Sequence, residues 1–172
     1  MFVRLIIKEK VMERIEKILN NNIYNQCMAG IERAEENRLF CLHDTEHSLA
    51  VARIAYIINL ENELGYDKEC IYAMALLHDI GRCREYEEGI PHHEAGSVLA
   101  FDILKACDFS EEEIYDITSA ISNHKKLSKD TSRRELKYIL YKADKLSRNC
   151  FECKMYNECY WDEEKKNQTI IV

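Results

Sequence analysis

The sequence predicts an all-α fold, a compact single-domain helical bundle, and three observations carry that prediction. Proline occurs once and glycine five times in 172 residues, so tight turns are few. Glu, Lys, Leu, Ile and Ala dominate the composition, which favours helix. Apolar residues recur at helical rather than alternating spacing along most of the chain. A chain of this length also builds a core without disulfide or metal staples.

Taken in order, residues 2–20 carry Val3, Ile6, Ile7, Val11, Ile15, Ile18 and Leu19 close to helical spacing, and Asn20-Asn21-Asn22 ends that helix. A second helix runs from Ile23 to about Arg38, with Ile23, Cys27, Ile31 and Ala34 on one face. Leu39 to Leu42 read as a connection. Asp44 or Thr45 caps a third helix, Glu46 to Leu64, whose apolar positions cover much of its circumference and predict a central place. Gly65 closes it, and Asp67 caps a fourth helix. That helix contains the run Ile71 to Leu77, ends at His78-Asp79, and has Gly81 as a left-handed stop. Arg82 to Pro91 read as a charged loop. Further helices cover His93–Cys107, Ser110–Asn123 and Arg133 to about Arg148, and Ser110 with Glu113 forms a capping box. Asn167 to Val172 read as a loose end or a short strand. The chain therefore reads as one domain, 1–172, with N-terminal helices over 2–38, a core over about 43–148 and a cysteine-containing segment over 149–172.

A net charge of −7 and a pI near 5.4 argue against a general nucleic-acid binder. The charge is uneven: Lys125 to Arg148 hold nine Lys or Arg against three acids. A basic patch on an acidic protein suits a small anionic ligand better than a long polyanion. No apolar run approaches the roughly 20 residues needed to cross a bilayer, and the N-terminus lacks a secretory cleavage pattern. The expected location is the cytoplasm, where the eight cysteines stay reduced. Cys150, Cys153 and Cys159 form C-x2-C-x5-C, which can serve as core thiols or as metal ligands. As ligands they need a break in the helix between them and a fourth partner from Cys27, Cys41, Cys83 or Cys107.

Imidazole and carboxylate at a helix C-terminus suit a transition metal, so His78-Asp79 is the first candidate pair. His47 lies near the core face at the start of the third helix. Asp144 sits among Leu136, Ile139, Leu140, Ala143 and Leu146, where a carboxylate is costly to bury unless it is paired or binds metal. His43 falls outside the helix, as a supporting or surface residue.

The order and context of His47, His78-Asp79 and Asp144 resemble the HD superfamily of metal-dependent phosphohydrolases. EHSLAVARIA looks like that family's first-histidine helix, ALLHDIGR like its defining dyad, and KADKLSR like its last metal aspartate. The resemblance spans His43 to Arg148 and implies an all-helical core with His47, His78, Asp79 and Asp144 as ligands to one metal. His92, before Gly96 in HHEAGSVLA, and His124 in AISNHKKL resemble the extra histidines of two-metal subgroups. Those subgroups include the HD-GYP cyclic-dinucleotide phosphodiesterases and the HD-type diadenosine tetraphosphate hydrolases. The resemblance then implies that Asp79 bridges two metals, with His92 (or His93) and His124 completing the second. The G-Y-P element and the extended phosphate motif are missing, so neither specific activity carries over.

One or two divalent metals (iron, manganese, zinc or nickel, with magnesium also allowed) would activate water and polarise a phosphoryl oxygen. Asp79 is the candidate proton acceptor, and Arg82 stands where the family usually has lysine. Arg82, Lys145 and Arg148 are the candidate phosphate contacts, with Lys125 a weaker one. The expected substrate is a small phosphorylated molecule of nucleotide type, with no membrane or long nucleic acid as partner and a homo-oligomer left open. Two other classes fit the same ligands: a di-iron oxygenase, and a binding module without turnover.

Overall fold

The computed structural model describes residues 11–125 and 127–171. Among them are eight α-helices and no strand: α1 (Glu13–Leu19), α2 (Asn22–Glu35), α3 (Thr45–Glu61), α4 (Lys68–Leu77), α5 (Arg82–Glu88), α6 (His92–Ala106), α7 (Glu111–Asn123) and α8 (Leu136–Leu146). The stretch of the first predicted helix before Val11 lies outside the described residues. The all-α prediction holds.

The centre of the bundle is α4, where Ile71 and Ala73 to Leu77 are essentially inaccessible. Each large apolar side chain buried this completely contributes about 1.5–3 kcal/mol. Around α4 pack α1, α3, α6 and α7, while α8 closes against α3 and α7 and the α2–α5 pair covers α6. The third helix is therefore not the central one. Its buried stripe is Ser48, Val51, Ala52, Ala55 and Asn59, and Leu60 is left in solvent. Buried Asn59 exchanges two hydrogen bonds with the Tyr66 backbone and so fastens the turn into α4, where Gly65 is left-handed as expected.

Two faces are shifted from the predicted ones. In α1, Ile15 and Ile18 are buried but Val11 and Leu19 are exposed. In α2 the inward stripe is Tyr24, Cys27, Ile31 and Glu35, with Ala34 outside. A carboxylate thus occupies a core position, satisfied by His43 and Tyr86.

Two local predictions fail for physical reasons. Arg82 to Glu88 is a helix, not a loop; it ends on left-handed Gly89. Gly81 is not left-handed (φ −68°, ψ −8°). It is glycine because a Cβ there would lie 2.1 Å from the His92 carbonyl oxygen and 2.3 Å from the Gly96 nitrogen. Gly81 and Gly96 let the first turn of α6 press directly against the chain after the dyad. The capping box of α7 forms as predicted, whereas α8 begins later than expected, at Leu136, and ends at Leu146. Beyond it, Cys150–Glu152 make a short 3-10 turn. The tail forms no strand among the described residues; Asn167 donates to the carbonyls of Lys145 and Arg148 and ties it to the end of α8.

Candidate metal centre

Six predicted ligand residues converge from five elements. Asp44 caps α3 and accepts from the His47 backbone N–H at 2.8 Å, which fixes His47 in the first turn. His78 and Asp79 follow the last turn of α4. His92 opens α6, His124 follows α7, and Asp144 lies on the inner face of α8. His78, Asp79, His92, His124 and Asp144 are all at most 5% exposed, and the His47 side chain is 7% exposed.

Their ligand atoms fall into two adjoining groups, His47–His78–Asp144 and Asp79–His92–His124, each within 4.8 Å. Asp79 joins them. Its Oδ2 lies 3.0 Å from His78 Nε2 and 3.8 Å from His47 Nε2, and its Oδ1 lies 3.7 Å from His92 Nε2. On the other side, Asp144 Oδ1 is 3.4 Å from His47 Nε2 and 3.9 Å from His78 Nε2.

Every histidine in these groups has its Nδ1 engaged away from the centre. His78 pairs with the Ala75 carbonyl at 2.7 Å, His124 with the Ile121 carbonyl at 2.6 Å, His92 with Glu85 at 2.9 Å, and His47 with the Ser147 hydroxyl at 3.3 Å. For His78 and His124 a carbonyl partner fixes the proton on Nδ1 and turns the Nε2 lone pair inward, the tautomer a metal ligand needs. The His78 Nε2 is buried without a hydrogen-bond partner. An inward lone pair flanked by two carboxylates is what a divalent cation would satisfy, and this donor set fits transition metals with imidazole and carboxylate ligands.

The electrostatics agree. Burial opposes ionisation of Asp79 and Asp144, yet facing histidines and Arg82, Lys145 and Arg148 hold both well below the usual carboxylate range. Burial lowers the pKa of His47, His92 and His124, the last to about 4, which keeps them neutral and able to donate lone pairs. His78 is raised, since Asp79 and Asp144 outweigh its burial. Positive charge is favoured at this centre.

The predicted cations lie around it. Arg82 donates to Asp79 Oδ1 at 2.9 Å and to Glu85 at 3.3 Å. Lys145 reaches Asp144 Oδ2 at 2.6 Å, and Arg148 lies 3.3 Å from both Asp144 and His47. Arg82, Lys145, Arg148 and exposed Lys125 all line a cavity of about 390 Å³ that opens above Asp79 and Asp144. His92, not His93, turns inward; the His93 side chain is 25% exposed. His43 is buried rather than on the surface, its Nδ1 on Glu35 at 2.5 Å, and it lines the same cavity. Glu35, Glu85 and Ser147 were not singled out in the sequence. Only Glu35's place on the α2 stripe, at i+4 from Ile31, marks it there.

Residues 45–149, most of the chain, match the family described as HD domain. The chain belongs to the HD domain family. It is also 42% identical over 159 residues to a Clostridium beijerinckii protein described only as uncharacterized, a match covering 92% of this chain and 99% of that one. The crystal structure of a predicted HD superfamily hydrolase from an uncultured Thermotogales bacterium is similar, with a TM-score of 0.64 and 25% identity. That match covers 89% of this chain and 81% of the other. The HD family match ends at residue 149, so the segment that walls the cavity beyond it, with Cys150, Cys153, Tyr160 and Trp161, lies outside it. No helix among the described residues is long and apolar enough to cross a membrane.

Proposed function

We propose that this HD domain protein is a metal-dependent phosphohydrolase acting on a small phosphorylated substrate, with a nucleotide the favoured class. The observation that carries the reading is the pair of adjoining His/Asp groups, with Asp79 of one lying 3.0 Å from His78 of the other, beneath a cation-lined cavity. His47, His78 and Asp144 would hold one divalent metal, and His92 and His124 a second, with Asp79 common to both. Metals bound there acidify water and polarise a phosphoryl oxygen. Arg82, donating to Asp79 Oδ1, would orient that carboxylate. Arg148 and Lys145, beside Asp144 at the cavity floor, bind the charge that accumulates on the phosphoryl oxygens. Glu85 holds the His92 ring, and buried His43, held by Glu35, supplies a polar wall to the cavity. Phe40, Tyr160 and Trp161 offer flat apolar faces for a base.

The test is phosphate release from a panel of nucleoside phosphates and dinucleotides by protein loaded with manganese or iron, beside His78→Ala. Release by the wild type and loss in the variant support the reading. Oxygen uptake without phosphate release would instead assign the same residues to di-iron oxidation. Tight nucleotide binding with neither would leave a binding module.

A further inference from the structure

The eight cysteines divide into two sets of four. Cys27, Cys70, Cys83 and Cys107 are buried core thiols: Cys83 donates to the Ile80 carbonyl, Cys70 donates to Glu113, and Cys107 is 1% exposed. Cys41, Cys150, Cys153 and Cys159 instead line one cavity, the one above the metal centre. They come from two segments far apart in sequence, the connection after α2 and the turns after α8. The break that three such ligands require is present, because the 3-10 turn stops at Glu152 and non-helical turns carry the chain from Cys153 to Cys159. The fourth thiol is Cys41.

We propose that Cys41, Cys150, Cys153 and Cys159 are the ligands of a [4Fe–4S] cluster that fastens the C-terminal segment over the cavity. Each thiol loses its proton as its sulfur bonds one iron, so the four sulfurs supply all the protein ligands the cluster takes. A single zinc ion would draw its thiolates into mutual contact at about 2.3 Å from the metal. Among the described residues, no group of three metal-ligating atoms within 4.8 Å includes any of these cysteines. A cuboidal cluster holds its thiolates farther apart. It also carries net negative charge, and the surrounding wall is cationic. Arg148 lies beside Cys41, and its buried Nε–H has no hydrogen-bond partner. Lys166, only 7% exposed, lies near Cys159. Both can donate to sulfur. None of its four ligands belongs to the His/Asp groups, so cluster content can be read separately from phosphate release, although the two sites share one cavity and Arg148.

The experiment uses the full chain purified without oxygen and then incubated with equal parts of ferrous and ferric iron and with sulfide, which together supply the electrons of a [4Fe–4S]2+ cluster, the four thiol protons passing to buffer. Acid-labile sulfide and the Mössbauer spectrum are measured for wild type, Cys153→Ser, Cys159→Ser, Cys107→Ser and His78→Ala, with circular dichroism to confirm folding. The expected result is about four sulfides per wild-type chain. These are lost in Cys153→Ser and Cys159→Ser but kept in Cys107→Ser and His78→Ala. Absence of sulfide from the wild type overturns the proposal, even if the cysteine variants fail to fold. Sulfide retained in folded Cys153→Ser and Cys159→Ser, or zinc held by the thiolates, overturns it equally.

Discussion

Three groups of His, Cys, Asp and Glu bring their ligand atoms within 4.8 Å of one another among the described residues, and the third is unlike the first two. Asp67, Cys70 and Glu113 surround Arg14. Its guanidinium donates to Asp67, Glu69 and Glu113 at 2.8–2.9 Å while stacking on Phe109 at 4.2 Å. Every donor there has a partner inside the protein. At the His47–His78–Asp144 and Asp79–His92–His124 groups, the histidine Nδ1 atoms hydrogen-bond outward, Arg82, Lys145 and Arg148 reach the carboxylates and His47, and His78 Nε2 is left buried without a partner. Such a cluster can take a metal where an inward donor atom lacks a protein partner. When an arginine fills the space, it becomes a clamp between helices.

That contrast orders the expected effects. The largest comes from Asp79→Ala, which removes the carboxylate that joins the two groups; bound metal and hydrolysis should both fall to background, measured by elemental analysis and phosphate release. Gly81→Ala comes next. Its Cβ would meet the His92 carbonyl and the Gly96 backbone, which cannot give way as a side chain can. The variant should lose more than about 3 kcal/mol in denaturant unfolding, and any folded fraction should lose the metal nearest His92 first. A smaller effect is expected for Glu85→Gln, which keeps shape but weakens the hold on His92 Nδ1. Metal affinity should drop by about 10–100-fold, read by chelator competition, with stability little changed.

On the other side of the comparison, Arg14→Ala should cost about 1–3 kcal/mol of stability and leave metal content unchanged. A loss of metal in that variant would erase the distinction between the two kinds of cluster. The same clamp predicts a pH effect. Burial works against the Glu113 charge, but Arg14, Cys70 and Ser110 outweigh it and hold the carboxyl at about 2. Because the folded value is depressed, this stabilisation is complete above the ordinary carboxylate range. It fades as pH falls from there through about 2. Arg14→Ala should therefore show a shallower acid-induced loss of stability than wild type, measured by unfolding midpoints across that range.

Much of the centre was legible in the sequence because its parts obey local rules. His78-Asp79 follow an uninterrupted apolar run, and Asp144 interrupts an apolar stripe; each is a cost that only a partner or a metal offsets. The helix over Arg82 to Glu88 was hidden because its charged residues carry no apolar stripe, and only Cys83 is buried. Gly81 is ambiguous in the sequence because a helix-ending glycine and a close-contact glycine look alike until the neighbouring helix is in place. Glu35 shows no sign of its role in the sequence because its partners, His43 and Tyr86, come from outside its helix, 8 and 51 residues on. Likewise, the choice of His92 over His93 depends on the Gly81–Gly96 contact, a tertiary fact. The cysteine set was half visible: C-x2-C-x5-C shows in the sequence, but Cys41 joins it only across the cavity.

The central claim is that two metals share Asp79, and counting them tests it most directly. Manganese, which does not form a sulfide cluster, should be loaded into wild type, His124→Ala and Asp79→Ala and measured per chain after gel filtration. The account predicts about two, one and none, respectively. One manganese in the wild type that survives His124→Ala unchanged would contradict it, leaving His92 and His124 as polar groups of the cavity and Asp79 as the ligand of a single metal.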